Sequence, residues 1–267
     1  MHLRLLECER CDVLYASPMP DTVTLTEAYR EAGYDSAREA RYAAATYARV
    51  LSEIVPTLAS RRRAVDIGAG DGAFLEQLLG AGFDEVVGFE PSTAAVAFAA
   101  PEIRERIRPH VFEGSELPAG SASLVSCLQT IEHVPDPVGL CTDAAMMLEP
   151  GGILLIVCHN RRALSARLLR RRSPIYDIEH LQLFSPAGIR HLLEQSGFER
   201  IDVRTLVNRY PLGYWLRLTP GPAKVKRAVE TTLARAHADT MLLSLPAGNL
   251  VAVGYRPVAR ARPAQHA

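Results

Sequence analysis

Two acidic residues and a run of glycines have the spacing of a loop that binds a nucleotide-like ligand. Asp66 lies in a short apolar segment, and Gly68, Gly70 and Gly72 follow at alternate positions. Glycines at such a turn let the backbone approach a ligand closely, because no side chain stands in the way. Glu90 follows the next apolar segment, about 20 residues after the glycines, where an acid suits the two hydroxyls of a ribose.

The glycine spacing argues against a dinucleotide. A pyrophosphate-binding turn has the pattern G-x-G-x-x-G, whereas Gly72 comes one residue too early for it. Asp66 would also repel a pyrophosphate at this turn. A ligand with a cationic amino acid end and no phosphates suits these residues better.

The run from Ala64 to Phe74 resembles the first motif of the class I S-adenosylmethionine-dependent methyltransferases, and Glu90 matches their second motif. The resemblance implies S-adenosyl-L-methionine as the cofactor, with Asp66 facing the amino group of its methionine portion. Glu90 would bind the ribose through two charge-assisted hydrogen bonds. The cofactor-binding residues implied by these motifs are Asp66, Gly68, Ala69, Gly70, Glu90 and Pro91.

The adenine end of the cofactor site departs from the family pattern. Relatives often carry a Gly-Asp pair followed by Leu-Pro, whereas this chain has Ser115, Glu116 and Leu117 there. These three residues are the expected adenine contacts, and the missing aspartate is expected to weaken adenine recognition. Gln129 is expected to flank the methionine portion. Tyr34 is expected to close a lid over the cofactor, with helix packing as the alternative.

Two histidines that follow the glycine-rich motif are candidates for proton transfer. The run from Leu128 to Pro137 resembles the Glu-His-Val-Pro-Asp-Pro segment of methyltransferases from ubiquinone assembly and natural-product tailoring. Histidine exchanges protons near neutral pH, so His133 is a candidate general base, with a loop-orienting role as the alternative. His180, which precedes a later predicted helix, is either a second candidate base or a structural residue.

The acceptor pocket is expected from residues after the fifth strand and from an aromatic insert. His159 and Asn160 are the expected substrate contacts after the strand. Tyr210 and Tyr214 either cover the acceptor or form a small core of their own. No metal site is expected.

Alternating strands and helices must position these residues. The predicted strands are 63–67, 85–90, 108–113, 123–129, 153–158, 199–207 and 249–255, and the predicted helices include 24–32, 37–58, 72–80, 137–149 and 223–237. Ser92 and Ser185 are predicted to begin further helices, the second of which ends before Gly197. This alternation predicts a parallel sheet wrapped by helices.

The resemblance implies an α/β, Rossmann-like fold with helices on both faces of a seven-stranded, mostly parallel sheet. The implied strand order is 3-2-1-4-5-7-6, with the last strand antiparallel. Ligands of such sheets lie beyond the carboxyl ends of the strands. The expected organisation is an N-terminal arm and helical cap (1–58), a methyltransferase core (59–208), an insert or acceptor cap (209–245), the last core strand (246–257) and a disordered tail (258–267).

Composition and charge argue against several other classes of protein. Lys plus Arg and Asp plus Glu both number 30, so the chain lacks the basic balance of a general nucleic-acid binder. No apolar run has the length of a membrane span or a signal peptide, and a cytoplasmic location is expected. An odd number of cysteines does not suggest a disulfide framework. Cys8 and Cys11 form half of a zinc-ribbon pattern, for which a packed hairpin without metal is expected.

Segment 161–172 is basic and amphipathic. The pattern leaves three alternatives open: a solvated helix face, a site for an acceptor phosphate, and peripheral contact with anionic lipid. Integral association with a membrane is not expected.

The resemblance implies transfer of a methyl group from S-adenosylmethionine to a small-molecule acceptor. A hydroxyl oxygen of a phenolic, natural-product or sugar substrate is the leading hypothesis. The alternatives are C- or N-methylation of a similar molecule, and a cofactor-binding module without catalysis. The fold cannot choose among acceptors, and the sequence leaves the oligomeric state open.

Overall fold

The computed structural model describes residues 3–21, 25, 27, 30, 37–170, 173, 175–176, 180–218 and 222–258. The strands are β1 (Leu5–Glu7), β2 (Leu14–Ala16), β3 (Arg63–Ile67), β4 (Glu85–Phe89), β5 (Ile107–Arg108), β6 (Ala122–Leu128), β7 (Leu148–His159), β8 (Gln182–Leu183), β9 (Glu199–Pro211) and β10 (Leu242–Tyr255). The α-helices are α1 (Ala37–Ile54), α2 (Ala73–Gly80), α3 (Thr93–Phe98), α4 (Pro101–Arg104), α5 (Pro137–Met147), α6 (Leu164–Leu169), α7 (Pro186–Gln195), α8 (Leu212–Leu218) and α9 (Ala223–Arg235).

Seven strands form the central sheet in the order β5-β4-β3-β6-β7-β10-β9. The pairs from β5 to β7 are parallel, whereas β10 runs antiparallel to both β7 and β9. This is the predicted order 3-2-1-4-5-7-6, so the fold prediction is confirmed. The strand order reverses between β3 and β6, and in such sheets a crevice opens there at the carboxyl ends.

Apolar side chains cover the sheet on both faces. Tyr47 of α1 and Leu75 of α2 belong to the core on one face. Met147 of α5 and Ile189 of α7 belong to the core on the other face. Strand β7 contributes to both cores because its residues from Gly152 to Cys158 are all buried, as the continuously apolar sequence predicts.

Two serines begin helices as the sequence predicts. The Ser92 Oγ accepts the Ala95 N–H at 3.2 Å, and the Ser185 Oγ accepts the Gly188 N–H at 3.0 Å. Such side-chain acceptors satisfy backbone donors that have no partner within the first helical turn. Gly197 follows α7 with a φ of +85°, a conformation that favours glycine.

Several element boundaries differ from the predictions. Strand β5 contains only Ile107 and Arg108 instead of 108–113, because Pro109 cannot donate to a strand ladder. Strands β9 and β10 extend beyond the predicted 199–207 and 249–255, with Leu242 paired to Pro211. The long hairpin keeps the backbone groups of this segment hydrogen-bonded, which the sequence pattern alone did not reveal.

A second, small sheet has the order β1-β2-β8. Its β1–β2 hairpin contains Cys8 and Cys11 as free thiols. Tyr34, most of the predicted helix 24–32 and residues 259–267 of the predicted tail lie outside the described residues. Within the described part of the chain, no helix is both long and apolar enough to cross a membrane.

Candidate active site

Two cavities meet at the carboxyl ends of β3 and β6. The aromatic cavity, with a volume of about 800 Å³, is lined by Tyr47, Phe74, Tyr210, Tyr214 and Trp215 among other residues. The Glu90 cavity, with a volume of about 550 Å³, extends on the β4 side of the same turn. The residues that line both cavities are Gly68, Leu128 and Gln129.

The glycine-rich turn is fixed to the neighbouring strand. The N–H groups of Gly68 and Ala69 donate to the Phe89 carbonyl at 2.8 and 3.0 Å. Gly68 has a φ of +79°, and a Cβ atom there would overlap the side chain of Thr130. Gly70 has a φ of +56°, but a Cβ atom there would meet no atom within 4 Å. The backbone at Gly70 therefore faces open space.

The two glycines are expected to differ in their tolerance of alanine. Gly68→Ala is expected to lower the free energy of unfolding by about 2–5 kcal/mol, because backbone strain adds to overpacking against Thr130. Gly70→Ala, the matched control, introduces only backbone strain and is expected to cost about 1–2 kcal/mol. Urea denaturation measures both variants. Equal losses would contradict the close packing of Gly68.

Glu90 closes the turn from the β4 side. Its Oε2 atom accepts the Gly70 N–H at 2.8 Å, and its Oε1 atom accepts the Ser92 N–H at 2.7 Å. Burial raises the pKa of the Glu90 carboxyl, and the N–H groups of Ser92 and Gly70 oppose this shift. A carboxylate oxygen has more than one lone pair, so each oxygen can accept a further hydrogen bond. Glu90 and Pro91 both line the Glu90 cavity.

Asp66 lies at the other side of the turn and lines the aromatic cavity. Its side chain is buried, and its Oδ1 atom accepts the Ser126 hydroxyl at 2.6 Å. Burial raises the pKa of Asp66 to about 7; the hydrogen bond from Ser126 lowers it, and the negative charge of Glu90 adds to the increase. A cationic group beside Asp66 would favour the ionised carboxylate.

Gln129 stands between the two cavities in a constrained conformation. Its φ is +53°, which is uncommon for a residue with a side chain, and its N–H donates to the Val157 carbonyl at 2.7 Å. The buried Nε2 atom has no hydrogen-bond partner among the described residues. A buried donor without a partner costs free energy, which a ligand that offers an acceptor would recover.

The three residues expected at the adenine are not brought to either cavity. The Glu116 Oε2 atom accepts the Arg108 guanidinium at 3.1 Å, and its Oε1 atom accepts the Glu113 N–H. Leu117 is buried in the core. Ser115 precedes Glu116 in a short 3-10 turn and lines neither cavity.

Other residues line the Glu90 cavity in their place. Val111 and Phe112 come from the segment after β5, and Asp143 comes from helix α5. A Cβ atom at Gly114 would overlap the Asp143 side chain, so the Asp143 side chain can adopt this position only because residue 114 is a glycine. The sequence does carry a signal for these lining residues, because they recur at helical spacing and therefore share one face of α5. They are the N-cap Asp136 and, within the helix, Gly139, Leu140 and Asp143.

Three histidine rings form a row beside the cavities. The ring centroids of His133 and His180 are 4.8 Å apart, and those of His180 and His159 are 5.0 Å apart. His133 lines the Glu90 cavity and His159 lines the aromatic cavity. The central ring donates from Nδ1 to the Ile175 carbonyl at 2.8 Å. Burial, together with the charges of His133 and His159, lowers the pKa of His180.

Glu132, which the sequence analysis did not single out, orients His159. It is fully buried, and its Oε1 atom accepts both the His159 N–H at 2.7 Å and the His159 Nδ1–H at 2.8 Å. Burial raises the pKa of Glu132, but hydrogen bonds from His159 and the charges of His159 and His133 outweigh it, so that the net shift is downward. Because the Glu132 carboxylate accepts the Nδ1–H of His159, Nε2 is the other proton-binding atom of that ring.

The remaining predicted acceptor residues separate into two groups. Tyr210 and Tyr214 line the aromatic cavity, with ring centroids 4.7 Å apart. Asn160 lines neither cavity, because its Oδ1 atom accepts the Arg162 N–H at 2.9 Å within a turn. Asn208, which the sequence analysis missed, lines the aromatic cavity with a buried Oδ1 atom that has no partner in the described part of the chain.

No cluster of three or more His, Cys, Asp and Glu side chains within the described ranges is arranged to hold a metal ion.

The seven-stranded sheet with its antiparallel last strand, and the glycine turn between two acids at its crevice, match the fold and site of the class I methyltransferases. The sequence profile of the family described as "Methyltransferase domain" matches residues 37–203, more than half of the chain. The chain belongs to this family, and it is an S-adenosylmethionine-dependent methyltransferase.

Curated relatives carry the name "Ubiquinone biosynthesis O-methyltransferase". The protein from Burkholderia vietnamiensis is 32% identical over 165 residues, which cover 57% of this chain and 70% of the relative. The protein from Aliivibrio fischeri strain MJ11 is 26% identical over 173 residues, which cover 57% of this chain and 72% of the relative.

Solved structures share the fold at low sequence identity. A Thermotoga maritima methyltransferase, described as a possible histamine N-methyltransferase, has a TM-score of 0.51 and 20% identity, covering 80% of this chain and 91% of that one. The [4+2]-cyclase SpnF has a TM-score of 0.52 and 18% identity, covering 79% of this chain and 82% of that one. Because a cyclase has the same fold, the fold does not specify the substrate, which must be argued from the side chains at the site.

Proposed function

We propose that the two cavities divide the cofactor between them. The nucleoside portion of S-adenosylmethionine occupies the Glu90 cavity, where Glu90 accepts hydrogen bonds from the ribose hydroxyls. The methionine portion lies over Gly68 and Gly70, with its amino group beside Asp66. Asp143 takes the role of the acid that the sequence analysis found missing near the adenine.

The residues present fit this cofactor. Gly70 faces open space, and Glu90 retains lone pairs although it already holds two backbone N–H groups. The buried Nε2 atom of Gln129 offers a donor for the carboxylate of the methionine portion. The remaining lone pairs of Glu90 match the ribose hydroxyls, and the Gln129 Nε2 atom, which has no partner within the described chain, matches the carboxylate of the methionine portion.

Cofactor affinity is expected to depend on pH through Asp66. The pKa of Asp66 is raised to about 7, so its protonated fraction grows as the pH falls below that value. Only the ionised carboxylate pairs with the cationic amino group, and affinity is expected to fall by up to about tenfold per pH unit below pH 7. Calorimetric titration between about pH 5 and 7 measures the slope.

Asp66→Asn is the control for this pH dependence. The amide cannot ionise, so we expect weaker binding with a flat profile over the same range. A variant that keeps the wild-type slope would show that another group titrates.

We further propose that the chain methylates a hydroxyl oxygen of a small, aromatic acceptor in the aromatic cavity. The observation that carries this proposal is the Glu132–His159 pair at the wall of the cavity. A phenol or alcohol must lose a proton as its oxygen is methylated, and Nε2 of His159 is the acceptor for that proton. The aromatic lining suits a planar apolar ring, and the curated relatives named as O-methyltransferases support the choice of oxygen.

The bound cofactor supplies an electrophilic methyl group on a sulfonium. Tyr210 and Tyr214 orient the acceptor ring, and Asn208 accepts a hydrogen bond from a second polar group on it. His159 holds the proton released from the acceptor oxygen, and Glu132 stabilises the imidazolium that forms. The transferred methyl ends on that oxygen, and S-adenosylhomocysteine is the other product.

His133 and His180 were the candidate bases in the sequence, each with a structural role as the alternative. We propose His180 as a positioning residue, because its Nδ1 is committed to the Ile175 carbonyl and its ring lies between the other two. His133 remains a proposed second base, on the side of the Glu90 cavity.

Methyl-labelled S-adenosylmethionine and a panel of phenols, catechols, sugars, amines and activated carbon acids test the proposed function. The expected result is label transfer to phenolic oxygens, with little transfer to sugars. Transfer to amines or carbon would overturn the proposal for oxygen. Tight cofactor binding without transfer to any compound would favour the cofactor-binding module.

A further inference from the structure

A third cavity, with a volume of about 640 Å³, lies outside the active site and is rich in arginine. It opens between the β1–β2 hairpin and helix α6, and we name it the arginine cavity. The arginines that line it are Arg4, Arg161, Arg162, Arg167 and Arg170. No acidic residue is among its described lining residues.

Two of these arginines are held by carboxylates. The Arg161 guanidinium, whose side chain is only 6% exposed, pairs with Glu7 and Asp12 at 2.7 Å each. Arg162 pairs with the same two acids. The hydrogen bond from Arg162 lowers the pKa of Asp12, with burial opposing the shift. These pairs fasten the hairpin against the segment that leads into α6.

The other three arginines have no carboxylate partner within the described ranges. Arg4, Arg167 and Arg170 are exposed, and no ion pair involves them there. Like charges gathered at one cavity repel each other, which opposes folding unless an anion neutralises them. Arg170 also has a φ of +49°, an uncommon conformation for a residue with a side chain.

The floor of the cavity is a packed unit. Leu5, Leu14 and Tyr176 pack on a small core of Ala166, Ile175 and Leu183 that joins α6 to the three-stranded sheet. Leu5, Leu14, Ala166 and Tyr176 also line the cavity. The guanidinium groups therefore surround an apolar surface on a folded base.

Helix α6 separates this cavity from the active site. Ser165 and Leu169 line the aromatic cavity, whereas Ala166 and Arg167 line the arginine cavity. The helix also carries Leu164 and Leu168, which are 69% and 73% exposed. Both leucines are available to contact the apolar part of a ligand or a lipid layer next to the arginines.

We propose that the arginine cavity binds a phosphate or diphosphate group attached to an apolar body. Guanidinium groups bind phosphate oxygens through paired, charge-assisted hydrogen bonds, and Arg4, Arg167 and Arg170 are the three available donors. The apolar floor contacts the rest of the ligand. The phosphate belongs either to a free organic phosphate or to the headgroup of an anionic lipid, and both present the same chemistry to the arginines.

Two binding measurements on the full chain distinguish these sources. Calorimetry with inorganic pyrophosphate tests a free phosphate. Co-sedimentation with phosphatidylglycerol vesicles, compared with phosphatidylcholine vesicles, tests a lipid headgroup. The variant Arg167→Ala/Arg170→Ala is expected to weaken whichever binding is found by about tenfold or more.

The matched control is Arg227→Ala/Arg235→Ala on α9, which removes the same charge from exposed positions of another helix. It is expected to bind like the wild type. Titration with S-adenosylhomocysteine, whose proposed site is at the glycine turn and not in the arginine cavity, verifies that each variant is folded. The proposal is overturned if the wild type binds neither probe, or if the two double variants bind equally well.

Discussion

Glu90→Ala is expected to weaken S-adenosylmethionine binding by about 100-fold or more. Two hydrogen bonds from ribose hydroxyls to a carboxylate are lost, each worth about 1.5–3 kcal/mol. The N–H groups of Gly70 and Ser92 also lose their acceptor, which loosens the turn that carries the methionine portion. Isothermal titration calorimetry measures the change in Kd.

The control for this variant is Glu85→Ala, at the opposite end of the same strand. Glu85 pairs with Arg63 at 2.7 Å on the surface, and such exposed pairs contribute about 0–1 kcal/mol. Its Kd for the cofactor is expected to equal that of the wild type. Glu90→Gln keeps the side-chain volume but not the charge, and its Kd is expected to lie between those of Glu90→Ala and Glu85→Ala. A wild-type Kd for Glu90→Ala would contradict the assignment of the ribose to this residue.

His159→Ala is expected to lower kcat by about 10²–10⁴-fold for a phenolic acceptor. The variant removes the proton acceptor, while Glu90 and the glycine turn still hold the cofactor, so its Kd is expected to be unchanged. Glu132→Gln, which cannot support an imidazolium, is expected to lower kcat as well. Single-turnover rates with a saturating acceptor measure both effects.

His191→Ala is the matched control, because His191 is exposed on α7 and lines neither active-site cavity. It is expected to keep the wild-type kcat. His133→Ala separates the two candidate bases. If His133→Ala loses more rate than His159→Ala, the proton acceptor lies on the Glu90 side, contrary to our proposal. The rate with an acceptor that is already ionised should be insensitive to His159→Ala, Glu132→Gln and His133→Ala.

The sequence predicted the elements of the central fold because apolar runs and helix caps depend only on residues that are close together in the chain. The apolar run of β7 and the serines before α3 and α7 depend on neighbours along the chain, and each appears where predicted. The strand order followed from the resemblance, whereas the alternation of strands and helices predicted the parallel sheet. The long β9–β10 hairpin was missed because pairing such as Leu242 with Pro211 depends on a partner distant in sequence.

The part of the candidate site that lies directly at the carboxyl ends of strands was predictable. Asp66, Gly68 and Glu90 lie at adjacent strand ends, so their meeting followed from the topology. Asp143 reaches the Glu90 cavity because helix α5 packs against Gly114. The sequence around Ser115, where the adenine contacts were expected, does not indicate this packing. The pairing of Glu132 with His159 joins two strand ends and depends on a fully buried carboxylate, which the sequence cannot reveal.

A crystal structure of the chain with S-adenosylhomocysteine tests the central claim most directly. The account predicts the nucleoside in the Glu90 cavity, both ribose hydroxyls within hydrogen-bond distance of the Glu90 carboxylate, and the sulfur facing the aromatic cavity that His159 lines. A ligand bound elsewhere, or a Glu90 side chain turned away from the ribose, would contradict it.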